Sequence, residues 1–188
     1  MLDIALKFVV DELNAYLKAR TGVTDDVVTL GQVIDDNGKY AFAKESLVLT
    51  LVNLEQETAS RQQLPDSQYR DGKSIKLPPQ LHLNLYLMFV ARFSVYDQAL
   101  KYLSHTLNFF QANAAFSADR HPALDPAVER LSLDLQSPSY DQLNQIWAYL
   151  GGKHLPSVLY KMRVISLQDM SSEIGPPVLT VNSDLHSL

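Results

Sequence analysis

Between Gln80 and Ala91 the sequence QLHLNLYLMFVA sets Leu81, Leu83, Leu85, Leu87 and Phe89 on alternate positions. His82, Asn84, Tyr86, Met88 and Val90 fill the positions between them. A period of two assigns these sets to opposite faces of one strand and excludes a helix here. At Ser94 the period changes. Tyr96, Ala99, Leu100, Leu103, Leu107 and Phe110 recur at three and four residues, the stripe of an amphipathic helix. Ser94 is the expected N-cap, with Asp97 at the positive end of the helix dipole. A strand feeding directly into a helix, both with buried faces, commits the chain to a layered α/β fold.

The rest of the sequence supplies the other layers. Leu6, Val9, Val10, Leu13 and Leu17 predict a first helix over about Leu2–Arg20, ended near Gly22. Val27–Val33 and Ser46–Asn53 read as strands, and Asn37-Gly38 between them signals a hairpin turn because both residues accept positive φ. Thr58–Pro79 is polar and proline-containing and is expected to be a long loop. Ala112–Pro126 reads as a second irregular connection. Leu131, Leu133 and Leu135 alternate in a short strand. Ser139 with Gln142 forms an S-x-x-Q capping box, opening a helix whose expected buried stripe is Tyr140, Leu143, Ile146, Trp147 and Leu150. Gly151-Gly152 ends that helix. Pro156–Leu167 reads as a last strand, apolar on both faces near Val164 and Ile165 and therefore central or covered. The fold class is α/β (α+β), a single mixed sheet with helices packed on it. The expected division is one domain over residues 1–167 and an extended tail over 168–188.

At 188 residues the chain can bury roughly 70% of its unfolded surface without a covalent staple. The absence of cysteine excludes disulfides, thiolate zinc sites and cysteine nucleophiles. A formal net charge of −5 with dispersed basic residues argues against general nucleic-acid binding. The longest apolar run, Leu85–Ala91, is too short to cross a bilayer, so no membrane insertion is expected. The first residues carry Asp3, Asp11 and Glu12 and no small-residue cleavage site, so no signal peptide is expected and cytoplasmic synthesis follows.

A search for chemistry returns little. His82, His105, His121, His154 and His186 form no i, i+3 or i, i+4 pair and no H-E-x-x-H pattern, and isolated histidines are ordinarily structural. Asp119, His121 and Asp125 are close in sequence, but their proline-rich setting reads as a solvated loop. No G-x-S-x-G is present, and Ser104 and His105 are helix neighbours that do not face each other. Gly151-Gly152-Lys153 lacks the P-loop spacing and stands at a helix end, where phosphate is not bound. No catalytic, cofactor or metal residue is expected. The long loop is mildly basic through Arg61, Arg70, Lys73 and Lys76, and it and the acidic tail after Gln168 are the segments able to dock on a partner.

Two blocks carry a resemblance. Leu81–Phe116 combines a Leu-x-Leu-x-Leu strand, an aromatic turn and a helix with an Ala-Leu-x-x-Leu core. Leu131–Leu167 combines a strand, a capped helix with Leu143, Trp147 and Leu150, and a closing strand with Tyr-x-x-Arg-Val. In their order and spacing they resemble the amino-terminal domain of the cap, or tail-terminator, proteins of phage-tail-like contractile injection systems. The resemblance covers about Met1–Leu167. It implies a tail-terminator-like fold and a structural role without catalysis: a ring, typically a hexamer of this chain, at the end of the particle distal to the baseplate, contacting the last inner-tube and sheath subunits and stopping both from growing. It implies cytoplasmic assembly into a particle that is released or membrane-anchored. On that reading the candidate interface residues are Arg61, Tyr69, Arg70 and Lys73, with Lys76, Asp169 and Glu173. An adaptor of another complex and a small-ligand α/β enzyme are the alternatives that the residues alone leave open.

Overall fold

The computed structural model describes residues 2–57, 66–70, 73–77, 81–125, 128, 130–167 and 173–174. In chain order the elements are α1 (Leu2–Thr21), β1 (Val28–Leu30), β2 (Ser46–Gln56), β3 (Asp66–Arg70), β4 (Lys73–Leu77) and β5 (Leu81–Arg92). Then come α2 (Tyr96–Ala112), β6 (Ala115–Ser117), β7 (Arg130–Gln136), α3 (Tyr140–Leu150), β8 (Ser157–Leu167) and β9 (Glu173–Ile174). A six-stranded sheet in the order β1-β2-β5-β8-β7-β6 forms the body. All its pairings are antiparallel except β1 with β2.

The alternation in β5 organises both faces. Leu83, Leu85, Leu87 and Phe89 lie in one buried cluster with residues of α1 and α2, among them Leu13, Leu17, Leu103 and Phe110. Met88 and Val90 point the other way, into a smaller cluster with Val33, Phe42, Val48, Leu159 and Trp147 of α3. Two helices thus cover one face, and α3 with the segment after β1 covers part of the other. The stripe of α1 is buried as its spacing requires, and the helix stops where Gly22, at φ +72°, donates its N–H to Lys18 O. Buried Asn14 (4% exposed) ties α1 to β1. Its Nδ2 donates to Val28 O at 2.8 Å, and its Oδ1 accepts from the N–H groups of Val27 and Val28 at 3.0 and 2.9 Å.

Several sequence expectations are corrected. β1 and β2 are parallel, with Val28 opposite Leu47, so Asn37-Gly38 does not join them as a hairpin. The turn itself is real: Gly38 has φ +74°, Asp35 Oδ1 accepts from the N–H groups of Asn37 and Lys39, and Ile34 bridges Tyr40. It forms the tip of the crossover that parallel pairing demands. Arg92 anchors that crossover, its guanidinium 4.6 Å from the Tyr40 ring centre. Ser94 is not the N-cap of α2. Val95 holds that position without a side-chain cap, while Ser94 N–H donates to Glu45 Oε1 at 2.8 Å. The buried stripe of α2 is Ala99, Tyr102, Leu103, Thr106, Phe109 and Phe110, whereas Tyr96 is 65% exposed and Leu100 is also exposed. In α3 the capping box and the Gly151 cap (φ +71°) form as expected, yet Trp147 alone of the expected stripe is fully buried and Tyr140 is exposed. The long loop holds the β3–β4 hairpin, and the second irregular connection holds β6, which pairs with β7.

Candidate assembly surface

Two segments far apart in the chain, the long loop after β2 and the tail after β8, meet in a second sheet of order β3-β4-β9. β3 follows β2, β4 leads into β5 and β9 follows β8. The order β2-β5-β8 of the body is therefore repeated by the continuations of the same three strands. This second sheet is an arm whose three strands are joined along the chain to β2, β5 and β8. Of the candidate interface residues, Tyr69 and Arg70 lie on β3, Lys73 and Lys76 on β4, and Glu173 on β9. The register sets Arg70 opposite Lys73 and Lys76 opposite Glu173. Arg61 and Asp169 lie outside the described residues.

The body offers a second surface. α3 covers only the Val48, Met88 and Val90 end of its face, and the remainder of that face is polar. A groove of about 690 Å³ runs between α3 and the sheet, lined by Val52, Glu55, Tyr86, Gln142, Ile146 and Tyr149 among others. Burial and then the hydrogen bond and charge of Glu55, with Glu57 behind it, raise the Tyr86 phenol above its ordinary pKa. Asn84 Nδ2 donates to Glu57 Oε2 at 2.9 Å, and Arg163 pairs with Asp134 at 3.0 Å on the same face. Lys161 Nζ sits 5.9 Å from the Tyr86 ring centre. These groups are paired to one another along one face of the sheet, and Tyr86 with Glu55 opens onto the groove.

Both edges of the six-stranded sheet are partly uncovered. β1 pairs only with Leu47–Leu49, so among the described residues β2 has no outer neighbour from Thr50 to Gln56. β6 pairs with Arg130–Ser132 and the Leu133 N–H donates to Ala114 O, so among the described residues Asp134–Gln136 of β7 have no outer neighbour. There the Gln136 side-chain amide donates to the carbonyls of Asp134 and Leu135, at 3.2 and 3.3 Å, in place of a strand. Sequence reasoning missed these edges because Leu51 and Leu135 are in phase with buried leucines, yet Leu51, Leu54 and Leu135 are 41%, 42% and 54% exposed. The sequence held no signal for them, because Val27–Val33 reads as a strand nearly as long as Ser46–Asn53 while only Val28–Leu30 pairs, and no strand is expected at β6.

His105, His121 and His154 have structural surroundings. His121 packs on Phe8 and Phe116, and His154 lies 5.3 Å from Trp147, ring centre to ring centre. His105 on α2 is held below its ordinary pKa by burial, then by Lys101 and Arg20. Among the described residues no three His, Asp or Glu groups gather within reach of one metal ion, and no helix is long and apolar enough to cross a membrane.

The architecture is that of solved tail-terminator structures. It is similar to the sheath/tube terminator of an extracellular contractile injection system, PVC, in its extended state, with a TM-score of 0.59, 18% identity, and coverage of 95% of this chain and 64% of that one. It is also similar to the tube-terminating cap of the anti-feeding prophage, with a TM-score of 0.59, 19% identity, and coverage of 93% and 59%. The chain thus spans about three fifths of the length of these two structures. The profile of the Pvc16 N-terminal domain matches residues 6–180, and the chain belongs to that family. No curated protein matches it significantly.

Proposed function

We propose that the chain is a structural cap of a contractile injection system, forming a ring, a hexamer, at the baseplate-distal end, where it contacts the last inner-tube and sheath subunits and ends their polymerisation. The observation that supports this most directly is the family profile, which covers nearly the whole chain and agrees with a fold shared with two terminator structures. A terminator must match a growing end on one side and offer no further growing surface on the other, which complementary surfaces accomplish without catalysis. In this reading residues 1–167 form the cap domain and 168–188 its extended tail, and the chain is made in the cytoplasm as part of an extracellular particle. The arm carries the contacts to tube or sheath, through Tyr69, Arg70, Lys73, Lys76 and Glu173, with Arg61 and Asp169 on the adjoining segments.

Deleting the gene should leave tubes and sheaths of uncontrolled length, measured by electron microscopy of purified particles. Wild-type particles should carry this chain at one end only. Particles of normal, uniform length in the deletion strain would refute the terminator reading. Removing Gln168–Leu188, which takes β9 from the arm, should weaken attachment of the ring while the domain stays folded. Normal capping by the truncated chain would refute the role of the tail alone.

A further inference from the structure

We infer that the two open edges of the six-stranded sheet are the two halves of one contact, through which a copy of this chain joins its β2 edge to the β7 edge of the next. The proposal deepens the ring reading and rests on it. Register places Leu51 and Leu54 of β2 on the same sheet face as Leu87 and Leu85 of β5, and through Tyr160 and Met162 of β8 on the same face as Leu135 and Leu133 of β7. The exposed leucines at the two ends of the sheet therefore lie on one face. An extension of the sheet from copy to copy would bring them together and remove both apolar patches from water.

The opposite face agrees in charge. Beside the β2 edge it carries Glu55, with Glu57 next along the chain, and β2 has no Lys or Arg. Among the described residues of β7 and β8, it carries Arg130, Lys161 and Arg163 together with Asp134 beside the β7 edge. A head-to-tail contact sets the acidic end of one copy against the basic end of the next, whereas pairing two like edges repeats one sign of charge. The open part of β7 is short, but three-residue pairings already occur at both edges of this sheet, at β1 and β6. Edges with exposed leucines and no lysine are templates for strand pairing, and the bulge of β2 between Leu51 and Asn53 limits which of its residues can enter such a ladder. Because the two edges differ, the contact is heterologous and propagates until rotation closes it.

The test uses two substitutions at exposed positions, Leu51→Asp and Leu135→Asp, in the purified full chain, followed by sedimentation velocity. Unchanged thermal melts establish that each variant is folded. Wild-type chain should assemble beyond the dimer, each variant alone should be monomeric, and an equimolar mixture of the two should stop at the dimer, since only one good edge of each kind remains. Variants that assemble like wild type would overturn the edge contact while leaving the cap reading to the particle-length experiment. A mixture that stays monomeric would overturn the head-to-tail pairing. So would wild-type chain that is monomeric at about 1 mM, where even a millimolar contact is half formed.

Discussion

Trp147 is the residue by which α3 holds the sheet, and its replacement by alanine has a magnitude that the structure allows to be worked out. The side chain is 4% exposed and packs in the cluster with Val33, Phe42, Val48, Met88, Val90 and Leu159. A tryptophan buries about 150–250 Å², which at about 25 cal/mol per Å² is about 4–6 kcal/mol as an upper bound. One feature lowers this. Among the described residues Nε1 is buried without a hydrogen-bond partner, and deleting the group relieves a desolvation cost of about 1–3 kcal/mol. Trp147→Ala should therefore destabilise by about 3 kcal/mol, the lower end of the usual range for such changes. Urea melts at 25 °C should show the loss in the midpoint with an unchanged slope, and the melting temperature should fall by about 6–12 °C for a chain of this size. Trp147→Phe should cost about 1 kcal/mol or less, because it removes the unpaired N–H and keeps most of the ring. A loss under about 1 kcal/mol for the alanine variant, the size of a surface change, would refute the packing argument. Equal losses for Phe and Ala would refute the part resting on Nε1.

Asn14→Leu should destabilise by about 3 kcal/mol or more in the same melts, since it leaves the Val27 and Val28 N–H groups and Val28 O without their side-chain partner; a loss under about 1 kcal/mol would refute the role given to Asn14. His105 has a folded pKa below its ordinary 6.5, so the folded chain binds this proton less readily than the unfolded one. Its contribution to stability is present above pH 6.5 and lost as the pH falls through the folded pKa. His105→Gln should flatten the stability-against-pH curve in that window, and an unchanged curve would refute the assignment. Replacing His82, His121 or His154 with Gln should leave particle assembly intact wherever the fold survives, as scored by particle length; a folded variant that failed to cap would reopen an enzymatic role.

The legible parts of the fold were those in which one residue type carries one consequence. Alternating leucines gave β5 its faces, Ser139 with Gln142 gave α3 its start, and Gly22 and Gly151 gave two helix ends. Errors arose where one signal serves two geometries. Asn37-Gly38 makes the same tight turn at the tip of a crossover as between paired strands, and the direction of β1 is set by Asn14 and the packing of α1, which lie elsewhere in the sequence. In α2, Tyr102 and Thr106 are buried although neither is a strongly apolar residue. Thr106 is satisfied by donating Oγ1–H to Tyr102 O, so the true stripe is rotated from the leucine pattern. β3 and β4 escaped notice because DSQYR and KSIKL have the composition of a solvated loop, and strand pairing there is fixed by the turn and by a tail segment about a hundred residues later. The candidate surface was legible only as two separate segments of unusual composition. That they form one sheet depends on long-range pairing, which periodicity does not report.

The repetition of β2-β5-β8 by β3-β4-β9 has a mechanical consequence. A pull on the arm, directed along its strands, enters the body through the ends of three adjacent strands, β2, β5 and β8. Because β2, β5 and β8 all meet the arm at the same end of the sheet, such a pull draws them together and puts shear on the flanking ladders, β8 with β7 and β2 with β1, whose hydrogen bonds lie across the strands. β5 and β8 share a nearly continuous ladder from Leu83 to Val90, and β5 and β2 another from Leu83 to Arg92. Resistance to force is governed by the rate of unfolding. Tied by these two long ladders, the three strands take the load as one block, and a contractile machine that tugged on the arm would have to shear the whole β7–β8 ladder from Arg130 to Gln136 rather than peel it open.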